Sequence, residues 1–387
     1  MKDDTKLIAA GRPHPRHAHP VNTPVERAST ILFPTYDDYL EGVKTINYGR
    51  LGTSTHRALE EAITALEGGF ETRLAPSGLQ ACTAAILSFV GAGDHVLMTD
   101  AAYDPTRKFC ENFLKRFNVD TTFYEPTATG EEISALMRPN TKVVFVESPG
   151  SLTFEVQDIK AISAAAHEGG AVVIADNTWS GGYFCKPIAL GADVSIQAGT
   201  KYLAGHADCL IGSITSANEQ AAKKIYYGLL QLGSNVSADD AYLTLRGMRT
   251  LGPRLRRHEE SALDLVKWLS KRSEVASVIH PALKTCPGHT VWKQDFTGAS
   301  GLFAAVLKPV PLAGLKAFFN ALKLFGIGFS WGGFESLCVE VRPEKYRTVT
   351  PWKAEGPVIR FHAGLEDTDD LKNDLVNAFT AMGQAVK

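Results

Sequence analysis

The chain of 387 residues has no long apolar run and no excess of either charge. No stretch approaches the roughly 18 apolar residues that span a bilayer, and the polar start, MKDDTK, is unlike a secretory signal. Its 40 basic and 42 acidic residues leave a formal charge of −2, which gives no electrostatic reason to expect nucleic-acid binding. We therefore predict a soluble cytoplasmic protein that binds neither membranes nor nucleic acids.

Cysteine is also sparse, and no two of the six cysteines have the CxxC spacing. They are Cys82, Cys110, Cys185, Cys209, Cys286 and Cys338. This scatter indicates buried reduced thiols, which suits the cytoplasm. Internal repeats and low-complexity tracts are likewise absent from the sequence.

The length and the 44% of apolar residues predict a globular protein with more than one core. We expect an N-terminal arm over residues 1–55, a large domain over 56–247 and a smaller α+β domain over 248–387. The arm contains GRPHPRHAHP at 11–20, in which three histidines could suggest a metal. Its prolines and spacing match no defined ligand set, so an irregular arm without a metal site is the preferred interpretation.

Residues 56–247 alternate between short β-branched runs and helical stretches, which predicts an α/β fold with a mainly parallel sheet and right-handed crossovers. The predicted strands cover 95–98, 142–146, 171–175, 194–196 and 210–214. Helical spacing of Leu59, Ile63 and Leu66 predicts a helix over 56–68. A second amphipathic helix, over 261–271, leads into the smaller domain.

Two of these strands are followed by residues of particular interest, Asp176 and Lys201. Either alone is more simply explained as a solvated charge or a turn former. However, the carboxyl ends of parallel strands meet at the crevice where α/β proteins bind ligands, and Gly199 and Gly205 would let backbone approach a ligand closely. A lysine for its aldehyde and a carboxylate for its ring nitrogen are what pyridoxal 5′-phosphate (PLP) requires.

A phosphate site and a ring-stacking residue are also predicted. Ser77 and Gly78 open a helix of small and apolar residues, where free N–H groups favour an anion, although Ser77 could merely cap the helix. Thr200 could add a hydroxyl to the same phosphate. Tyr103 follows the strand at 95–98 and could lie against a planar ring, or could simply pack.

Seven motifs, in order along the chain, carry a resemblance to a known family. They are YGRLGT at 48–53, ESPGS at 147–151, ADNTW at 175–179, SIQAGTKYLAGHAD at 195–208, LRGMRTL at 245–251, SWGGFES at 330–336 and IRFHAGLED at 359–367. From residue 47 to the C-terminus the chain resembles the cystathionine β-lyase branch of the Cys/Met-metabolism family of PLP-dependent enzymes. The resemblance implies the fold-type I architecture of PLP-dependent transferases.

The resemblance also implies a role for each matching position. Lys201 would hold PLP covalently and act on the substrate, Asp176 would pair with the ring nitrogen, and Tyr103 would stack on the ring as the second catalytic candidate. The implied phosphate ligands are Ser77, Gly78, Leu79, Thr200, and Tyr48 with Arg50 from a neighbouring subunit. The implied substrate-binding residues are Arg360, Ser330, Trp331, Tyr48 and Tyr242. A homotetramer built as a dimer of dimers with shared sites is typical of the family.

The activity implied is α,β-elimination of L-cystathionine to homocysteine, pyruvate and ammonia, a reaction of transsulfuration and methionine biosynthesis. Trp331 favours this branch, because relatives that act at Cγ usually have a non-aromatic residue there. Three alternatives remain open: a broader lyase for cystine and cysteine S-conjugates, a γ-lyase or γ-synthase, and a non-catalytic regulator that binds PLP. The intact set of Lys201, Asp176, Tyr103 and Arg360 argues against the regulator.

Overall fold

A computed structural model describes residues 1–13, 18–42 and 47–386 of the chain. Two of the three histidines discussed for the N-terminal stretch, His14 and His17, lie outside these ranges. Within the described residues, none of the helices is long and apolar enough to cross a membrane. The helices are α1 (Asp3–Ala9), α2 (Tyr36–Gly42), α3 (Ser54–Glu67), α4 (Gly78–Leu87), α5 (Asp104–Lys108), α6 (Gly130–Leu136), α7 (Ile159–Glu168), α8 (Glu219–Gln231), α9 (Ala238–Met248), α10 (Leu251–Leu269), α11 (His289–Asp295), α12 (Leu312–Ala321) and α13 (Thr368–Gln384).

A seven-stranded sheet forms the centre of the larger part of the chain. Its strands are β1 (Glu71–Ala75), β2 (His95–Thr99), β3 (Asp120–Tyr124), β4 (Thr141–Glu147), β5 (Val172–Asp176), β6 (Val194–Gln197) and β7 (Gly212–Ser216), in the order β1-β7-β6-β5-β4-β2-β3. The pairs among β2 to β6 are parallel, whereas β7 runs antiparallel to both β6 and β1. The predicted α/β fold with a mainly parallel sheet is therefore confirmed.

Both faces of this sheet are covered, which explains the continuous apolar run in β4. Val143 and Phe145 point to the face covered by α4 and α8, while Val144 and Val146 point to the face covered by α7. The same alternation divides Val173 from Ile174 in β5. The six cysteines are all buried and none forms a disulfide, as predicted.

The sequence did not predict every strand. The edge strand β3 (DTTFY) and the charged strand β1 (ETRLA) carry no apolar run that would reveal them. The strand predicted from residue 210 begins at Gly212 instead. The backbone N–H of Ile211 donates to Thr200 Oγ1 at 2.9 Å, and its carbonyl accepts from the Thr200 N–H at 3.0 Å, so Ile211 fixes the turn that contains Thr200.

A second, antiparallel sheet lies in the C-terminal part of the chain. It contains β8 (Val275–Ile279), β9 (Leu302–Leu307), β10 (Leu337–Val341) and β11 (Val358–His362), in the order β10-β11-β9-β8. Side chains of α10, α12 and α13 pack against it in one apolar core. Helix α10 begins ten residues before the predicted start. Pro253 does not prevent this, because it sits in the first turn, where no N–H donor is required.

Candidate active site

Lys201 lies in the turn that follows β6, at the carboxyl end of the parallel strands. Its Nζ donates a hydrogen bond to Ser330 Oγ at 2.6 Å and lies 5.2 Å from the centre of the Trp331 ring. Burial, with help from the charge of Arg360, lowers the pKa of Lys201 to about 8, against the opposing effect of Asp176. The neutral fraction of this amine at pH 7 is therefore roughly a tenth, well above that of an ordinary lysine, and the neutral form is the one that a base or nucleophile requires.

Asp176 is the last residue of β5, the strand next to β6. Its Oδ1 accepts from the backbone N–H of Thr178 at 3.0 Å and from Thr178 Oγ1 at 2.5 Å, while Oδ2 lies 3.6 Å from the Cys82 thiol. Burial raises the pKa of Asp176, although these hydrogen bonds and the Lys201 charge favour the carboxylate. The fixed carboxylate is suited to hold a protonated ring nitrogen.

Helix α4 begins directly beside the Lys201 turn. Ser77 caps it, with Oγ accepting from the Gln80 N–H at 3.1 Å, and the phosphate contact of Ser77 stays a prediction. The N–H groups of Gly78 and Leu79 precede the first intrahelical bonds and remain available for an anion. A Cβ on Gly78 would lie 2.4 Å from Ala198 Cβ, so only glycine allows this close approach between α4 and the turn.

Tyr103 is 46% exposed, at the start of α5. Its backbone N–H donates to Glu147 Oε2 at 2.6 Å, and Glu147 is the register partner of Asp176 across β4 and β5. Burial raises the pKa of the Tyr103 phenol, and nearby Glu147 adds to the effect. Burial and the charge of Asp176 raise the pKa of Glu147 well above its usual range. Sequence reasoning assigned Glu147 no individual role.

The C-terminal sheet supplies the opposite side of the site. Arg360, on β11, donates to the Ser330 carbonyl at 3.0 Å, and burial lowers the pKa of Arg360 to about 10. Ser330 has a φ of +77°, a conformation that non-glycine residues rarely adopt. His362 Nε2 accepts from the Gly332 N–H at 3.1 Å, which stabilises the turn after Trp331. The structure thus brings Lys201, Ser330, Trp331 and Arg360 together.

The remaining predicted residues make other contacts within this single chain. The Tyr48 hydroxyl lies 3.5 Å from Ser29 Oγ, and Arg50 donates to the Leu230 carbonyl at 3.4 Å. Tyr242 lies on α9, half-buried. Their predicted participation in an active site therefore depends on a second copy of the chain.

A family profile described as Cys/Met metabolism PLP-dependent enzyme matches residues 4–380 of the chain. This chain belongs to that family. The chain is 49% identical to a putative cystathionine β-lyase of Rhizobium johnstonii over 365 residues, which cover 93% of this chain and 91% of that protein. It is 43% identical to a cystathionine β-lyase of Salmonella typhimurium over 387 residues, covering 97% of this chain and 98% of the relative.

The crystal structure of MetB from Corynebacterium glutamicum has the same fold, with a TM-score of 0.90 and 28% identity over 98% of each chain. The residues described above fit the cofactor of this family. They provide a lysine with a lowered pKa, a carboxylate fixed by Thr178, and the backbone N–H groups of the first turn of α4 for a phosphate. Gly78 keeps that turn against the lysine loop, where a larger residue would not fit.

Proposed function

We propose that the protein is a cystathionine β-lyase, which cleaves L-cystathionine by α,β-elimination into homocysteine, pyruvate and ammonia. Relatives with this name share 43–49% of their residues with the chain over nearly its whole length. The observation that carries the proposal is the position of the Lys201 amine. It lies beside Ser330 and Trp331, and Arg360, which suits a substrate carboxylate, donates to the same serine.

PLP, when bound, supplies the electron-accepting ring that makes the substrate Cα acidic. In this proposal Lys201 Nζ removes the Cα proton and later delivers a proton to the leaving sulfur, and Tyr103 is the second candidate for proton transfer. Asp176 keeps the ring nitrogen protonated. Arg360 binds the substrate α-carboxylate through its planar guanidinium, a two-bond geometry that lysine cannot offer.

The remaining cofactor contacts belong to the same proposal. The backbone N–H groups of Gly78 and Leu79, the hydroxyls of Ser77 and Thr200, and the partner copy's equivalents of Tyr48 and Arg50 would hold the phosphate. Tyr48 is 46% exposed in the single chain, which leaves it accessible to a second copy. We infer a homotetramer formed by two dimers, in which Tyr48 and Tyr242 also contact the substrate of the neighbouring site.

The same proposal includes the organisation and setting of the chain. Residues 1–55 would form an arm that contacts other subunits, 56–247 the PLP-binding domain and 248–387 the smaller domain. The enzyme would act in the cytoplasm, in methionine biosynthesis. Trp331, which faces Lys201, favours cleavage at Cβ over the γ-acting alternative.

A substrate panel tests the proposed specificity against the broader β-lyase alternative. We expect kcat/KM for L-cystathionine to exceed that for L-cystine and S-methyl-L-cysteine by at least about tenfold, since that ratio corresponds to only about 1.4 kcal/mol of differential transition-state binding. Equal values for the three substrates would favour a broad cysteine-conjugate lyase. A complete lack of pyruvate from all three would contradict the proposal.

A further inference from the structure

A buried carboxylate, Asp100, lies directly after β2 and joins the two parts of the molecule. Its Oδ2 accepts from the backbone N–H groups of Thr348 at 2.8 Å and Val349 at 3.0 Å. Its Oδ1 accepts from Thr348 Oγ1 at 2.8 Å and from an Arg107 guanidinium nitrogen at 2.7 Å. These four donors would be left without a carboxylate if Asp100 were absent, and Arg347, whose Nε lies 3.3 Å from Oδ2, would lose an ion-pair partner.

Arg347 strengthens the same junction. Its side chain is 4% exposed, and it donates to Glu155 at 2.8 Å and to Thr153 Oγ1 at 3.1 Å. Glu155 and Thr153 lie in the loop after β4, and Asp100 in the loop after β2. Residues 347–349, which we call the strap, therefore bind two loops of the large sheet although they belong to the segment between β10 and β11.

Both ends of this junction lead to the active site. Tyr103 is three residues after Asp100, and the carbonyl of Ala101, between them, accepts from the Ser151 N–H at 2.7 Å. At the other end, the strap precedes β11, which begins nine residues after Val349 and carries Arg360. We propose that Asp100 is a positioning residue for the reaction, because its hydrogen bonds fix the Tyr103 loop to the strap, in the segment that leads to the strand of Arg360. This inference rests on the proposed function.

The negative charge of Asp100 is stabilised by the hydrogen-bond donors around it. Burial alone would raise its pKa, but the N–H of Val349, the donors of Thr348 and the Arg107 guanidinium outweigh burial and lower the pKa. The group is therefore a carboxylate at neutral pH. An asparagine has the same size but only one acceptor oxygen, so its NH2 group would face either the two backbone N–H groups or the Arg107 guanidinium, each of which is itself a donor.

The test compares Asp100→Asn with Asp374→Asn in the PLP-loaded enzyme. Asp374 is a matched control, because its buried carboxylate accepts hydrogen bonds from the backbone N–H groups of Lys323, Leu324 and Phe325 at 2.8–3.1 Å. All of these residues belong to the C-terminal part of the chain. We expect both variants to lower Tm. Only Asp100→Asn should raise KM for L-cystathionine, by about tenfold and more than it lowers kcat.

Two further readouts do not depend on the substrate. Asp100→Asn should alter the visible circular dichroism of bound PLP and speed hydrogen exchange at residues 101–103, whereas Asp374→Asn should leave both as in the wild type. If wild-type enzyme failed to cleave L-cystathionine while these two signals still separated the variants, the proposed function would fail and the positioning role would survive. Identical signals in the two variants would overturn the positioning role.

A milder substitution covers the case in which Asp100→Asn does not fold. Thr348→Val keeps the shape of the side chain but removes the hydroxyl that donates to Asp100 Oδ1. We expect changes in KM and in the exchange of residues 101–103 in the same direction, at least about twofold. Wild-type values of both would contradict the inference.

Discussion

The protonation states of Lys201 and Asp176 are determined by burial, neighbouring charges and hydrogen bonds. Lys201 is held by Ser330 and Trp331 with its pKa lowered to about 8, whereas Asp176 keeps two hydrogen bonds from Thr178 that favour the carboxylate. Lysine normally titrates near 10.4, so this shift raises the neutral fraction at pH 7 from well under 1% to roughly a tenth. Lys201 is thereby prepared to react with an aldehyde.

A pH dependence follows from this shift. In the folded protein freed of PLP, the rate of covalent attachment of added PLP should rise with pH and level off above about pH 8, because only the unprotonated amine attacks. Stopped-flow absorbance over pH 6–10 measures this rate. A rate that kept rising to pH 10 would show that Lys201 has an ordinary pKa.

Replacing the lysine should abolish the chemistry but not the fold. In Lys201→Ala, we expect no covalent PLP, an elimination rate lower by about 10³-fold or more, and an unchanged far-ultraviolet circular dichroism spectrum. The matched control is Lys223→Ala, because Lys223 is exposed and forms its ion pair with Glu219 on the surface of α8. Full activity in Lys201→Ala would refute the assignment.

Replacing the acid tests its pairing with the ring nitrogen. Asp176→Asn keeps the shape and can still accept the Thr178 donors, but it lacks the charge that keeps the nitrogen protonated. We expect PLP to bind, with kcat reduced by about 10²-fold or more. Wild-type kcat in a variant that is saturated with PLP would remove the basis for this role.

Sequence reasoning could identify a site residue only when its partners lie close to it in the sequence. Lys201 and Asp176 follow apolar strands and lie 25 residues apart in the sequence. Because these two strands are parallel neighbours, both residues lie at the carboxyl ends of the strands. Cys82 and Asp100 gave no such signal. The Cys82 thiol meets Asp176 from a different element, and Asp100 meets a strap almost 250 residues later in the chain, contacts that only the packed structure reveals.

At the scale of elements, the close contact between α4 and the lysine turn determines the phosphate site. Helix α4 can approach this turn so closely only because residue 78 is a glycine. A Cβ at that position would lie 2.4 Å from the Cβ of Ala198. Strand prediction succeeded where both sheet faces are covered and failed at β1 and β3, whose charged or polar residues conceal the strands. The position of α4 beside Ala198 was likewise not readable from residue patterns.

Replacing Gly78 by a larger residue should displace helix α4. We expect Gly78→Ala to cost about 1–3 kcal/mol of unfolding free energy through overpacking and to weaken PLP affinity by about tenfold or more, since the first turn of α4 must move. The control is Gly383→Ala in α13, where a Cβ would meet no atom of the described residues within 4 Å. That variant should gain about 0.5–1 kcal/mol. Unchanged PLP affinity in Gly78→Ala would contradict the proposed phosphate site.

On the scale of the whole molecule, the proposal requires more than one chain. Tyr48 and Arg50 contact Ser29 and Leu230 rather than the Lys201 turn, so their proposed work is done in the neighbouring copy. The sequence could indicate this arrangement only through family resemblance, because residue patterns within one chain do not say which copy a side chain serves. The parallel part of the large sheet, by contrast, follows from the short β-branched runs that alternate with helical stretches.

Mixing two inactive variants tests shared sites. In a hybrid dimer of Lys201→Ala and Arg50→Ala, one of the two sites would combine an intact Lys201 with the partner's intact Arg50. Random assortment should therefore restore up to about a quarter of wild-type activity when the variants are co-expressed. Each variant expressed alone serves as the baseline. No gain over that baseline, with hybrid formation verified by mass, would place Arg50 in its own chain's site.

The most direct measurement identifies the products formed from L-cystathionine by the PLP-loaded enzyme. Pyruvate and 2-oxobutyrate are quantified separately, together with homocysteine and cysteine, and Lys201→Ala is measured in parallel. The account predicts pyruvate and homocysteine in equal amounts, dependent on Lys201. The appearance of 2-oxobutyrate and cysteine instead would contradict cleavage at Cβ, and an absence of any product would contradict the lyase itself.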